Sequence, residues 1–407
     1  MIRRNLFFGI LFLLFVFLSP SEGEDHALQT ISRLCGACHG VTLNDRCLAG
    51  PCGARPTHSI RPLPWDLVIP WMKALGCSMT GEEEKEITDY LSAHYSKLYS
   101  NRWIRSGTIP NGWNVVSFGL FRNALYAGIE GNGSIFRIQS GPDTNPPAWE
   151  PVFQSPDYTI YGLVPFSGML LAATNDPDAR IYGSSVGKEW RLLHLFPGEK
   201  GITALGVLNG KIYAGTTRSR IYRSENGTDW ELVQELLPGA KSAYPNWIRF
   251  IVPLDQTLFA GIEGGGVYRS EGGQWKKIWP SPENLIKFPK VTGARGAAVY
   301  HGRLYFGTGS GGEIWSIAKD GTPERAVSFE ENREIVRKYI ASLVVFGDSL
   351  YAGVGGSVLR SEDGIRWREG GYLTPHSIEA MAVYGNQLFA GTSLPPDAWI
   401  YRTVSDP

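Results

Sequence analysis

All five Cys of the chain lie between positions 35 and 77, and the first two open the run Cys35-Gly-Ala-Cys38-His39. The spacing C-x-x-C-H is the signature of covalent haem c attachment. Two thiols one helical turn apart each reach the haem edge as a thioether, and the adjacent imidazole reaches the iron as proximal ligand. A zinc site would want a second pair at matching spacing. Cys47, Cys52 and Cys77 are irregularly placed and have no His in that register. The motif therefore predicts one covalent haem c on Cys35 and Cys38, with His39 on the iron. The other three Cys leave one odd thiol after any single disulfide. Cys47 and Cys52 are the nearest pair, and sequence alone does not establish the bond.

Helices must position this motif. Ala27, Leu28, Ile31 and Leu34 form an apolar stripe at helical spacing that leads into it. Thr80-x-x-Glu83 is a capping box, opening a helix through about Leu98 whose apolar face is Ile87, Tyr90, Leu91, Tyr95 and Leu98. A helix, C-x-x-C-H and a C-terminal amphipathic helix with Tyr-Leu resemble the small class I cytochromes c over about residues 25 to 100. That resemblance implies an all-α domain at 24–100 and an axial Met several residues before the final helix. Met72 lies eight residues before Thr80 and shares a helix face with Trp65. It is the favoured sixth ligand, with Met79 as the alternative and His58 and His94 as fallbacks.

The N-terminus reads MIRRNLFFGILFLLFVFLSPSEGED, two Arg before an apolar run of 13 residues from Leu6 to Leu18. This is the pattern of a secretory signal peptide at 1–23, with Ser21 and Gly23 in cleavage positions. The run is shorter than the about 20 residues of a spanning helix. An uncleaved anchor is the competing reading, and the one that would tie the chain to a membrane. The expected location is the periplasm, an oxidising compartment. Lys plus Arg and Asp plus Glu both number 39, so the formal net charge is zero. That balance argues against a nucleic-acid partner and against a charged disordered chain. With 43% hydrophobic and 19% charged residues, a substantial core can be buried.

The rest of the chain, 101–407, repeats. The cores LYAG 125–128, LLAA 170–173, IYAG 212–215, LFAG 258–261, LYFG 304–307, LYAG 350–353 and LFAG 388–391 recur at intervals of 38 to 46 residues. An apolar run and a turn precede each core; a third strand and a Trp often follow. Four short strands per repeat, seven times, is the period of an all-β seven-bladed β-propeller. The turns ending at Trp230 and Trp367 resemble the Asp-box of sialidase-like propellers, one residue short of its usual form. Such a turn uses a side chain to satisfy local backbone N–H groups and carries no chemistry itself. The last repeat lacks a Trp strand, and Trp103 stands 13 residues before Val116 as Trp190 stands before Thr203. Residues 101–107 are therefore expected to close the last blade, leaving no open edge.

Twelve residues before the end of each core stand Val116, Tyr161, Thr203, Arg249, Arg295, Ala341 and Glu379. These should line one mouth of the central channel. Arg249 and Arg295, from adjacent blades, could grip a small anionic substrate or a partner's carboxylates, with Tyr161 and Glu379 completing a polar site. The plainer reading, and the preferred one, is a wet channel that simply tolerates polar residues. Sialidases use an arginine triad, and only two Arg occupy these positions. No Walker loop occurs. The leading expectation is an exported c-type cytochrome for electron transfer, whose propeller docks a redox partner or assembles an oxidoreductase complex. Two rivals are a periplasmic oxidoreductase with a substrate site at the propeller mouth and a sialidase-like carbohydrate-binding protein.

Overall fold

The computed structural model describes residues 29–31, 33, 40–43, 46–49, 57–59, 69, 79–95, 103–139, 148–239, 246–280, 293–309, 311–329, 339–374, 376–393 and 397–404. Residues 1–23, where a signal peptide was expected, and Cys35, Cys38, His39, Cys52, Met72 and Cys77 lie outside them. The chain divides into two compact units, Met1–Leu98 and Tyr99–Pro407.

In the first unit the capping box forms in both directions. Glu83 N donates to Thr80 Oγ1 at 3.2 Å, and Thr80 N donates to Glu83 Oε2 at 2.8 Å. The Thr80 N–H, and then Arg33, hold the Glu83 carboxyl below its ordinary range. A helix follows over Gly81–Tyr95, with Glu82, Glu83 and Glu84 in the first turn, where the helix dipole favours negative charge. Ile87 and Leu91 are buried at helical spacing. The expectation of an all-α unit needs correction. Gly40–Leu43 pairs antiparallel with Arg46–Ala49 and parallel with Thr57–Ser59. The β-branched pair Val41-Thr42 suits a strand where helix was expected. His58 sits in the third strand, opposite Val41.

The second unit is a β-propeller of seven four-stranded antiparallel blades. The innermost strands are Asn114–Phe121, Thr159–Phe166, Ile202–Leu208, Ile248–Leu254, Ala294–Tyr300, Ile340–Phe346 and Ile378–Tyr384, in blades one to seven. Each packs on the innermost strand of the next blade, and the seventh packs on the first. One backbone bridge, Glu130 to Thr159, also joins the sheets of blades one and two. Blade seven takes its outermost strand, Trp103–Ile109, from the chain before blade one; it pairs with Ala398–Thr403. Trp103 is buried there, and its Nε1 donates to the Gly370 carbonyl of blade six at 2.8 Å. Trp149 of blade one lies over Gly107 of the closing strand, where a Cβ would fall 2.5 Å from the ring. Trp190 and Trp230 likewise meet Phe153 and Phe196 of the preceding blades, each at 5.4 Å between ring centroids. The recurring Trp is thus a blade-to-blade contact. Among the described residues no helix is long and apolar enough to cross a membrane.

Candidate functional site

Every innermost strand of the propeller carries a bulge at the same place. In blade one Val115 pairs with Ile129 and Ser117 with Gly128, so Val116 faces no partner. Tyr161, Thr203, Arg249, Ala341 and Glu379 are skipped in the same way, and in blade five the gap takes in Arg295 and Gly296. An extra residue bends its strand and re-aims its side chain. The seven residues so placed line one cavity of about 80 Å³. That space admits a few water molecules and falls short of the roughly 300 Å³ at which small-molecule pockets begin. Tyr161, Arg249, Arg295 and Glu379 are therefore together at the axis.

The two arginines already hold an anion, and it belongs to this chain. Arg249 Nε donates to Glu263 Oε2 at 2.7 Å, and Arg295 Nη2 donates to Glu263 Oε1. Exposure of these three side chains is only 13 to 15%. Glu263 follows the second strand of blade four, Thr257–Ile262. Gly293 lets blade five close over it: a Cβ there would fall 1.7 Å from the Glu263 carbonyl oxygen, and its φ is +71°. The Arg249 guanidinium lies 4.6 Å from the Trp247 ring centroid and 5.7 Å from that of Tyr161; Arg295 lies 3.9 Å from that of Tyr339. Burial, with Arg249's charge beside it, pushes Arg295 down to about 10, still protonated at neutral pH. Burial also works against the Arg249 charge, but Glu263 and Tyr161 outweigh it and hold that group above its ordinary value. The two arginines that could grip a foreign anion are instead paired within the chain.

The other acidic groups are likewise engaged. Ser377 Oγ donates to Glu379, and Asn114 Nδ2 donates to Glu130. Burial, and then the negative charge of Glu379, push Glu130 above the ordinary carboxylate range, against the pull of Asn114 and Arg249. Burial takes Tyr161 to about 12, with Arg249 opposing and Glu130 and Glu379 adding to the rise. Its phenol keeps its proton at neutral pH and is a poor nucleophile. Sequence reasoning missed Glu130 and Glu263. The signal was there: only blades one and four continue the core as Gly-Ile-Glu, at 128–130 and 261–263.

The Asp-box turns do structural work. Gly227 N and Gly364 N each donate to a Ser Oγ, of Ser224 and Ser361, at 2.8 Å. Asp363 Oδ1 accepts from Ile365 N and Arg366 N, and those two bonds hold its carboxyl down at about 2. Among the described residues no group of three or more His, Cys, Asp and Glu is arranged to hold a metal ion. Cys35, Cys38, His39 and Met72 lie outside those residues. Met79 is buried directly before the helix cap.

No family model and no curated protein matches the chain. Solved structures do match the propeller. A streptogramin B lyase is similar at 14% identity, TM-score 0.59, over 76% of this chain and 100% of that one. YCF48 bound to a D1 peptide is similar at 18% identity, TM-score 0.55, over 76% and 99%. The WD40 β-propeller domain of Doa1 is similar at 12% identity, TM-score 0.55, over 75% and 97%. At such identities the likeness shows the fold alone, an all-β propeller.

Proposed function

We propose that the chain is an exported c-type cytochrome whose propeller docks a partner protein. The observation that carries the reading is Cys35-Gly-Ala-Cys38-His39 behind an export signal. Cys35 and Cys38 would hold the haem, and His39 with Met72 or Met79 would ligate its iron. Ile31, Ile69, Met79, Ile87 and Leu91 are buried in the same unit, and these apolar side chains suit a haem environment. When bound, the haem supplies one-electron redox chemistry, and the protein supplies burial, ligation and a docking surface. Periplasmic location follows from the signal segment in this reading.

The axial cavity favours a scaffold over a substrate-oxidising mouth. About 80 Å³ takes water rather than an organic substrate. Both arginines are committed to Glu263, which also weighs against a sialidase-like grip on a sugar carboxylate. One structurally similar propeller was solved with a bound peptide, which agrees with a docking role. A redox titration of the purified full chain tests the electron-carrier reading. A reversible one-electron change in a haem visible spectrum is expected; a colourless protein contradicts it. Docking is tested separately by cross-linking in intact cells. Cross-linked peptides joining the propeller to a second protein support it, and links confined to residues 1–98 contradict it.

A further inference from the structure

A groove between blades one and two differs from the axial cavity in both size and charge balance. It measures about 440 Å³ and is lined by Asn132, Gln154, Asp157, Tyr158 and Asp176, among others. That volume lies in the range of real binding pockets, roughly 300 to 1,000 Å³. Trp113 stands beside it, 51% exposed, although most large apolar side chains of this unit are buried. Its ring meets that of Tyr158 edge-on, at 5.7 Å between centroids and 87°. Gly131, another lining residue, lets the indole come close: a Cβ there would fall 2.9 Å from Trp113 Cδ1.

Charge in the groove is not balanced. Asp157 is fully buried and paired with Arg180, which also holds Asp178 at 2.6 Å. Arg180 is thus used up. Asp176 is exposed and makes no ion pair among the described residues, and no Lys or Arg lines the groove. Burial, and then the charges of Glu130 and Asp176, push the Tyr158 hydroxyl up. Aromatic faces beside a free carboxylate attract cations.

Resting on the docking reading above, we infer that this groove receives a lysine or arginine side chain from the partner protein. The cation sits against Trp113 and Tyr158 and pairs with Asp176. The Asp176 backbone, at φ +55°, suits Asn as well as Asp, so Asp176→Asn removes the charge without disturbing the turn.

The test is calorimetric titration of the full chain with tetralysine amide, tetraglutamate and chitotetraose. Tetralysine is expected to bind, about fivefold or more weakly in Trp113→Ala and in Asp176→Asn, and more weakly at high salt. Tetraglutamate and chitotetraose are expected not to bind. Tetralysine binding indifferent to both substitutions would overturn this site while leaving docking intact. Chitotetraose binding that depends on Trp113 would make the groove a glycan site and overturn the cation assignment, as would no tetralysine binding at all. Loss of docking itself is read from the cross-linking experiment, which does not depend on this groove.

Discussion

The two units keep their chemistry in different forms. The first holds every Cys of the chain and the five-residue C-x-x-C-H motif, whose proposed haem role rests on local spacing. The propeller holds no Cys, and its charged residues acquire meaning only through partners distant in sequence. Arg249 and Arg295 illustrate the second case. By residue type they could grip a foreign anion; by geometry they share Glu263, 14 and 32 residues away. Residue type alone does not give a side chain's partner when the fold supplies it from a distance.

The propeller's order depends on a few long-range contacts, and it breaks most readily where the ring closes. Trp103→Ala removes a buried indole and its bond to Gly370, so it should cost about 4 kcal/mol of propeller stability in thermal unfolding. An unchanged melting temperature would mean that the strand does not hold the ring. Glu263→Ala comes next. It leaves two poorly solvated guanidinium groups without their carboxylate and should cost about 3 kcal/mol. If the variant instead gains anion binding with no loss of stability, the arginines are a site and Glu263 a mere occupant.

Glu130 should give a smaller effect with a distinctive pH dependence. Its carboxyl is raised by burial and by Glu379, so it is neutral in both folded and unfolded chains at low pH and costs nothing there. As pH rises through the ordinary value of 4.5, the unfolded chain ionises first and stability falls until the folded carboxyl also ionises. Glu130→Gln should therefore stabilise the protein at neutral pH and make no difference well below 4.5. Equal stability of the two proteins across the range would show that the carboxyl is not strained by its surroundings. The slightest expected change lies in the first unit. Met72→Ala should remove the weak near-infrared band of a sulfur–iron bond while Met79→Ala leaves it; the reverse outcome assigns Met79.

Much of the propeller was legible because its repeat has a physical cause at each position. Gly261 and Gly307 end their cores because Phe250 and Ile340 come within 2.1 and 2.2 Å of where a Cβ would stand. The outer Trp recurs because Trp149, Trp190 and Trp230 each supply a large apolar contact with the preceding blade. The count of twelve back from the core reaches the axial cavity because all seven inner strands bulge at one place. The bulge itself could not be read, since it exists only in the pairing of two strands. The role of Glu263 was illegible for a related reason: it follows a second strand, and its link to Arg249 and Arg295 exists only in the folded ring. In the N-terminal unit the capping box at Thr80 and Glu83 was plain from four residues. The small sheet of Gly40–Leu43, Arg46–Ala49 and Thr57–Ser59 was not expected, because the resemblance to the small cytochromes implied an all-α unit.

The central claim is that the first unit carries a covalent haem c, and intact mass of the purified full chain tests it most directly. The account predicts the polypeptide mass plus one haem, retained after denaturation and acid-acetone extraction, and its complete loss in the Cys35→Ala, Cys38→Ala double variant. Bare polypeptide mass in the natural chain, from a host able to mature c-type cytochromes, or haem still bound covalently in the double variant, would contradict it.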